Sequence, residues 1–374
     1  KVGSPQVIDI ESLSAPIPGE TPVGIDLRSD KSPSSPYYAI RDARTLASRQ
    51  ERRQEEDPEA TDARADWKPV AQQALKVLKE STKDLEIAAY LVEALVRSDS
   101  LAGLRDGIIL LRELCEKYWD QGLYPTPDED GLETRVFPIT GLNGSGANGT
   151  LISPIERVKI TSSPNSGSFA YFQYRDARNV AALPPDQQER KYEQGSIPLD
   201  KFQQAVSETN ADFYRNLLDD VQSCNDEFWK LTAFLDEKCG NLTPPTSNIR
   251  NALTEVKEAI ELVARDKISV GEEAAAEETQ TTDSTGVAAT GGGPGVVVGS
   301  IRSREDALRT LSLAAEFFRR TEPHTPLSFA LDQVVRWGRM PLPALLSELI
   351  PDATARDQLF RMVGINVPPH EENQ

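Results

Sequence analysis

The chain has 374 residues, enough for two or three domains, and only 38% of them are hydrophobic, so linker or exposed surface is expected. A formal net charge of −18 argues against a nucleic-acid groove or an anionic membrane surface as partner. No apolar run is long enough to span a membrane, and the first residues contain no signal-peptide core. The sequence therefore predicts a soluble intracellular protein, in which sparse cysteines without metal spacing are reduced thiols: Cys115, Cys224 and Cys239.

The first 190 residues are expected to form a helical domain with an extended arm. Residues 1 to about 36 are rich in Pro, Ser and Gly, which is typical of an extended segment that lies over the body of a domain. Helical spacing begins at Tyr37 and returns between Thr61 and Lys83. Asp84 to Val96 is apolar almost all round, which predicts a central helix. Leu101 to Trp119 predicts another helix.

A middle helical domain is expected over 191–268. The segment 199–239 carries apolar residues at helical spacing, and Ile249 to Val263 supplies a partner helix. Two such helices joined by a short Pro-rich turn form a hairpin with too little core to stand alone. A flexible acidic linker is then expected over 269–302, because Gly271 to Ser300 contains acids and small residues but no Lys or Arg.

The last part of the chain, 303–374, is expected to be a small helical oligomerisation module. Three apolar helical stripes lie between Arg302 and Ile350, separated by prolines that end or begin helices. So short a segment buries too little surface to hide three stripes by itself. Packing against other copies of the same module would cover them. The predicted fold class is therefore all-α and multidomain.

Two groups of segments carry a family resemblance. FFRRTEPHTPLSFALDQVVRWGRMPLPALLSELI, followed by RDQLFRMVGI, resembles the C-terminal block of TssA (ImpA-type) subunits of bacterial type VI secretion systems. PIPGETPVGIDL, DWKPVAQQALKVLKESTKDLEIAAYLVEAL, GLRDGIILLRELCEKYWD and DEDGLETRVFPITGLNG resemble the ImpA N-terminal domain of that family. Together these segments cover well over half of the chain.

The resemblance implies a structural, non-enzymatic scaffold. Subunits of this family form a ring through their C-terminal regions and associate with the baseplate, the inner tube and the contractile sheath, whose assembly they promote. It further implies a cytoplasmic location in a Gram-negative bacterium, at a membrane-docked secretion machine but without membrane insertion. The expected partners are other copies of the chain and those machine proteins, with no nucleic acid. A ring that displays many tethered domains would raise their effective concentration for repeated partners.

The candidate assembly residues lie in the C-terminal module. Trp337, flanked by arginines, fits either a buried core residue or an interface hot spot, since Trp and Arg are enriched where interfaces carry most of their binding energy. His324 lies in a Pro-His-Thr-Pro run, where a turn or cap role is favoured over catalysis. The candidates are Phe318, Arg319, His324, Leu331, Val335, Arg336, Trp337, Arg339, Leu345 and Leu349.

Two other functions remain as alternatives. Gly144 to Gly149 matches the G-x-G-x-x-G spacing of dinucleotide sites, but the flanking residues predict neither the preceding strand nor the ribose-binding acid such a site needs. A surface loop is therefore favoured, and no catalytic, cofactor or metal residue is assigned. Two histidines are too few for a His-based metal site or a conventional triad. The other alternative is an acidic helical adaptor unrelated to secretion.

Overall fold

A computed structural model describes residues 3–56, 65–129, 131–278, 304–321, 326–340, 342–349 and 352. The elements are helical, and isolated bridges are the only β-pairing within these ranges, so the all-α expectation is confirmed. The chain divides into two compact units, 1–283 and 284–374, which are described separately. The helices are α1 (Ile10–Ser14), α2 (Pro36–Glu56), α3 (Lys68–Glu80), α4 (Leu85–Tyr118), α5 (Leu132–Asn143), α6 (Ile152–Glu156), α7 (Tyr171–Ala181), α8 (Pro185–Glu193), α9 (Leu199–Glu208), α10 (Ala211–Cys239), α11 (Ser247–Glu278), α12 (Arg304–Thr321), α13 (Leu327–Arg339) and α14 (Leu342–Leu349).

The centre of the first unit is α4, which consists of two helical arms that fold back on each other. The chain reverses at Ser100, whose φ of 58° and ψ of −140° are not helical. Gly103 and Gly107 permit the close approach of the arms: a Cβ on Gly103 would lie 2.3 Å from the Leu95 carbonyl oxygen, and one on Gly107 would lie 2.8 Å from Val92. The sequence predicts these arms as two separate helices, and the structure confirms them.

The polypeptide after residue 190 packs against this hairpin. Along α10, Arg112 of α4 bonds to Glu227 at 2.7 Å, and the Cys224 thiol donates to the Leu101 carbonyl. One hydrophobic core runs from Ile8 in the arm to Ala264 in α11. The expected boundary at 190/191 lies inside the first compact unit, and the division of the chain into independently folding parts stays a prediction.

The N-terminal arm is fastened to the same hairpin by buried charges. The Val7 backbone N–H donates to the buried Asp106 carboxylate at 2.5 Å, and the Ser4 N–H donates to Asp220 at 3.3 Å. Arg105 bridges the two carboxylates. Because each carboxylate is buried and paired, the arm is held by charge-assisted hydrogen bonds as well as by its apolar side chains.

Two adjacent residues at the start of α4 bury their charged groups. Asp84 caps the helix by accepting from the Glu86 and Ile87 N–H groups, and Arg28 reaches it at 2.6 Å. The Lys83 ammonium is buried and donates to the carbonyls of Leu13 and Leu78 at 2.6 and 2.7 Å. Burial lowers the pKa of Lys83 to about 8, with a smaller contribution from the Lys117 charge. These groups join the arm to α3 and α4.

The helix α11 is longer than the sequence predicts. It continues to Glu278, so residues 269–278 of the expected linker are helical. Alanine and glutamate dominate its last turns and have high helix propensity, which offsets the effect of the single Gly271. The rest of the expected linker lies outside the described residues.

In the second unit, α12 and α13 form a close pair. Leu308 and Ala315 of α12 and Val335 of α13 are buried. Gly338 lies against Leu308, where a Cβ would come within 2.5 Å of the Leu308 side chain. Arg304 donates to the Gly338 carbonyl at one end of the pair, and Arg319 pairs with Asp332 further along. These contacts give the module a small core of its own.

Candidate functional site

The candidate assembly residues occupy all three helices of the second unit. Of the ten, His324 lies outside the described residues. Val335 is buried against α12, and Arg319 is engaged by Asp332, so these two hold the α12–α13 pair together. Phe318, Leu331 and Leu345 are half-buried, and Arg336, Arg339 and Leu349 are exposed.

Trp337 connects α13 to α14. Its indole N–H donates to the Glu348 carboxylate at 3.1 Å, and Arg336 and Gln333 donate to the same carboxylate. The hydrogen bond from Trp337, followed by those from Gln333 and the charge of Arg336, keeps the pKa of Glu348 below its ordinary value. The Trp337 ring is half-buried, so it contributes to packing within the module and also keeps part of its surface available to a partner.

Apolar side chains remain exposed on α13 and α14. Phe329 is 70% exposed, Val334 43% and Leu349 49%. Ala330 and Val334 are four residues apart and therefore share one side of α13, and exposed Phe329 lies about 100° around the helix from Ala330. Single exposed apolar residues are ordinary, but a group of them on so small a module indicates a surface that another chain can cover.

Sequence reasoning missed Phe329 and Val334 as candidates. Nearly every turn of α13 carries several apolar residues, so periodicity does not reveal which ones face α12. The sequence contained only a weak signal for these two residues: the apolar surface of α13 is wider than contact with one neighbouring helix requires.

The glycine-rich segment 144–149 forms a self-contained loop. It comes after the helix α5 rather than after a strand, which contradicts the context of a dinucleotide site. The Gly149 N–H donates to the Asn143 carbonyl, and a Cβ on Gly149 would lie 2.2 Å from Asn143 backbone atoms. Asn143 also accepts from the Ile249 N–H and anchors the loop to α11. The glycines therefore allow the chain to reverse tightly, in agreement with the interpretation of this segment as a surface loop.

The described residues offer neither a metal site nor a reactive thiol. The described residues contain no group of His, Cys, Asp and Glu that could hold a metal ion. All three thiols are buried, and desolvation raises the pKa values of Cys115, Cys224 and Cys239. A thiol with a raised pKa is a poor nucleophile. Within the described ranges, no helix combines the length and hydropathy needed to cross a bilayer.

Comparison with known proteins gives a family match within the first unit. Residues 14–144 match the family described as ImpA, N-terminal, type VI secretion system. These residues are similar to an ImpA N-terminal region. The matched residues include α2 to α5, with the α4 hairpin, the Asp84 cap and buried Lys83.

The similarity extends beyond the ImpA region. The type VI secretion system component TssA1 of Pseudomonas aeruginosa is 26% identical over 360 residues, which are 95% of this chain and 98% of that protein. A solved N-terminal domain of the TssA component of Burkholderia cenocepacia, which includes the ImpA region, covers 71% of this chain at 27% identity and a TM-score of 0.59. The match takes in 98% of that domain. The family resemblance seen in the sequence is confirmed, and an unrelated acidic adaptor is not favoured.

Proposed function

We propose that this chain is a structural subunit of a type VI secretion system. In this role its second unit self-associates into a closed ring and displays the first units around it. The principal support is the similarity to TssA1, which spans nearly the full length of both chains and so includes both units. The exposed apolar residues on α13 and α14 supply a physical reason for self-association.

A closed ring suits the second unit for energetic reasons. Identical modules that expose the same apolar surface can all cover it only in a closed symmetric arrangement. The segment that joins the units would act as a tether, and multiple tethered copies would raise the local concentration of the first unit near repeated partners. Those partners are proposed to be the baseplate, inner-tube and sheath proteins of a membrane-docked machine in the bacterial cytoplasm. The proposed role requires no catalysis.

Native mass tests self-association directly. Light scattering or native mass spectrometry of the intact chain should show one large, discrete oligomer. Phe329→Asp should shift the population to smaller species, because each interface would bury a carboxylate among apolar groups. Phe137→Asp is the matched control, since Phe137 is an equally exposed phenylalanine on α5 in the first unit.

Two outcomes would contradict the proposal. The first is an intact wild-type chain that is monomeric at micromolar concentration. The second is an oligomer that Phe137→Asp disrupts and Phe329→Asp leaves whole, because the association would then depend on the first unit.

A further inference from the structure

A surface groove in the first unit runs between α7, α9 and α11. It consists of two adjoining depressions of about 490 and 330 Å³, which share Tyr174, Arg178 and Leu262. One depression lies between α7 and α11, and the other extends to α9. We call this feature the α7–α11 groove and define it by Tyr174, Arg178, Phe202, Val206, Glu258 and Leu262.

The floor of the groove is apolar and firmly packed. The rings of Tyr174 and Phe202 stack with centroids 4.7 Å apart, and Phe202 and Ala259 are buried. Leu262, in contrast, is 47% exposed at the point where the two depressions meet. Covering this leucine would remove apolar surface from water without rearranging the floor, which favours a partner with an apolar face.

The two walls carry opposite charges that are not balanced. Arg178 of α7 lies over the Tyr174 ring, 5.6 Å from its centroid, while Glu258 of α11 is exposed across the groove. Neither residue forms an ion pair with any other residue that the structure describes. Arg175, by contrast, is neutralised by Glu156 at 2.6 Å. A complementary partner therefore presents an acidic group to one wall and a basic group to the other.

The walls also determine which backbone conformation fits. They are helices, whose backbone N–H and C=O groups bond within each helix, so an extended segment would find no strand edge to pair with. A helical partner brings its backbone hydrogen bonds already satisfied. Positions 255 to 263 of α11 span about 12 Å, which a partner helix of about four turns would cover completely.

We infer that the α7–α11 groove binds an amphipathic helix of another protein, with an apolar face on Leu262, an acidic flank toward Arg178 and a basic flank toward Glu258. This inference names a class of partner for the displayed first unit and rests on the proposed scaffold function for its cellular setting. Binding of a helix to the groove is nevertheless independent of ring formation, so the two proposals can fail separately.

The binding test uses the intact chain and three labelled, helix-stabilised peptides of about 15 residues. All have leucine at helical spacing on one face; their flanks are Glu on one side and Lys on the other, Glu on both, or Lys on both. A fourth peptide, with the mixed composition in scrambled order, controls for non-specific adhesion. Fluorescence anisotropy should show that the mixed-flank peptide binds at least about tenfold more tightly than the other three.

Variants of the walls make the test specific. Arg178→Glu leaves both walls acidic and should shift the preference to the Lys-flanked peptide, whereas Glu258→Lys should shift it to the Glu-flanked peptide. Arg190→Glu is the matched control, because Arg190 is an exposed arginine on α8 outside the groove. Leu262→Asp should weaken all binding by about tenfold or more, while Leu46→Asp, which alters a similarly exposed leucine on α2, should have no effect.

Several results would overturn the inference. These are equal binding of the mixed and scrambled peptides, an unchanged preference in both charge variants, or no binding of any peptide at about 1 mM. Native mass that falls on Leu262→Asp would show instead that a second copy occupies the groove. Retained ring mass with no peptide binding would exclude the groove inference alone.

Discussion

The buried ammonium group of Lys83 forms no ion pair with a carboxylate in the part of the chain that the structure describes. Two of its three N–H donors bond to the Leu13 and Leu78 carbonyls, which do not balance its charge. It sits beside Asp84, whose charge is met by Arg28. The charge of Asp84 is thus neutralised, whereas the charge of Lys83 is not. We therefore expect the stability of the fold to change at mildly alkaline pH through the loss of a proton from Lys83.

We predict that the first unit becomes more stable as the pH rises from about 8 toward 9.5. The pKa of Lys83 is about 8 in the folded chain against 10.5 for a free lysine, so the unfolded chain holds more protons in this window. Its free energy of unfolding should therefore rise by about 1–2 kcal/mol. Urea unfolding across this range, followed by the fluorescence of buried Trp67 and Trp119, measures the change.

Lys83→Met provides the comparison for this prediction. It should remove most of the rise, although it lowers stability at every pH by leaving two buried carbonyls without donors. The window ends below pH 10 because burial raises the pKa values of Tyr37, Tyr90 and other tyrosines, which reduces stability at higher pH. A rise that is equal in wild type and variant would refute the assignment to Lys83.

At the scale of the element, the α4 hairpin depends on one reversal and two close contacts. Gly103→Ala should destabilise the first unit by about 2–3 kcal/mol, because the new Cβ would overlap the Leu95 carbonyl and force the arms apart. Ser100→Gly, at the same turn, is expected to have the opposite effect on stability. It should stabilise by about 1 kcal/mol, since glycine adopts a positive φ without strain.

Denaturation midpoints of these two variants test the hairpin geometry. A Gly103→Ala protein as stable as wild type would mean that the arms do not approach as described. A Ser100→Gly protein that is less stable would mean that the serine side chain contributes something other than strain.

Helix periodicity made most of the elements predictable. The two arms of α4 and the long helices α10 and α11 each carry apolar residues at the spacing that a buried face requires. Periodicity shows that a face is buried but not what it packs against, which is why the position of α10 along α4 was not foreseen. The same limitation hid Phe329, whose exposure depends on which side of α13 meets α12.

At the scale of the whole molecule, the two compact units should separate on proteolysis. The segment 279–303 contains few large apolar residues, and 271–300 contains no Lys or Arg, so elastase rather than trypsin is the suitable probe. We predict that elastase cuts first within 279–303 and releases a resistant fragment that includes α1 to α11. Mass spectrometry of the early products locates the cut.

The control for this prediction lies within the first unit. Trypsin has sites such as Lys191 near the expected boundary at 190/191. Early tryptic cleavage there, with release of two stable pieces, would support a separate middle domain and contradict a single core that spans it. Resistance at Lys191 would favour the single core.

The fastening of the arm also sets the timing of folding on the ribosome. Ser4 bonds to Asp220, 216 residues later in the chain. At about 5–20 residues per second, roughly 10–45 s pass between the synthesis of these two residues. During that interval the apolar surfaces of the arm and the α4 hairpin emerge without α10 to cover them, and nascent-chain chaperones have time to act. The second unit is translated last. A newly made subunit can therefore join other copies only after all residues of its first unit have been synthesised and its core can be completed.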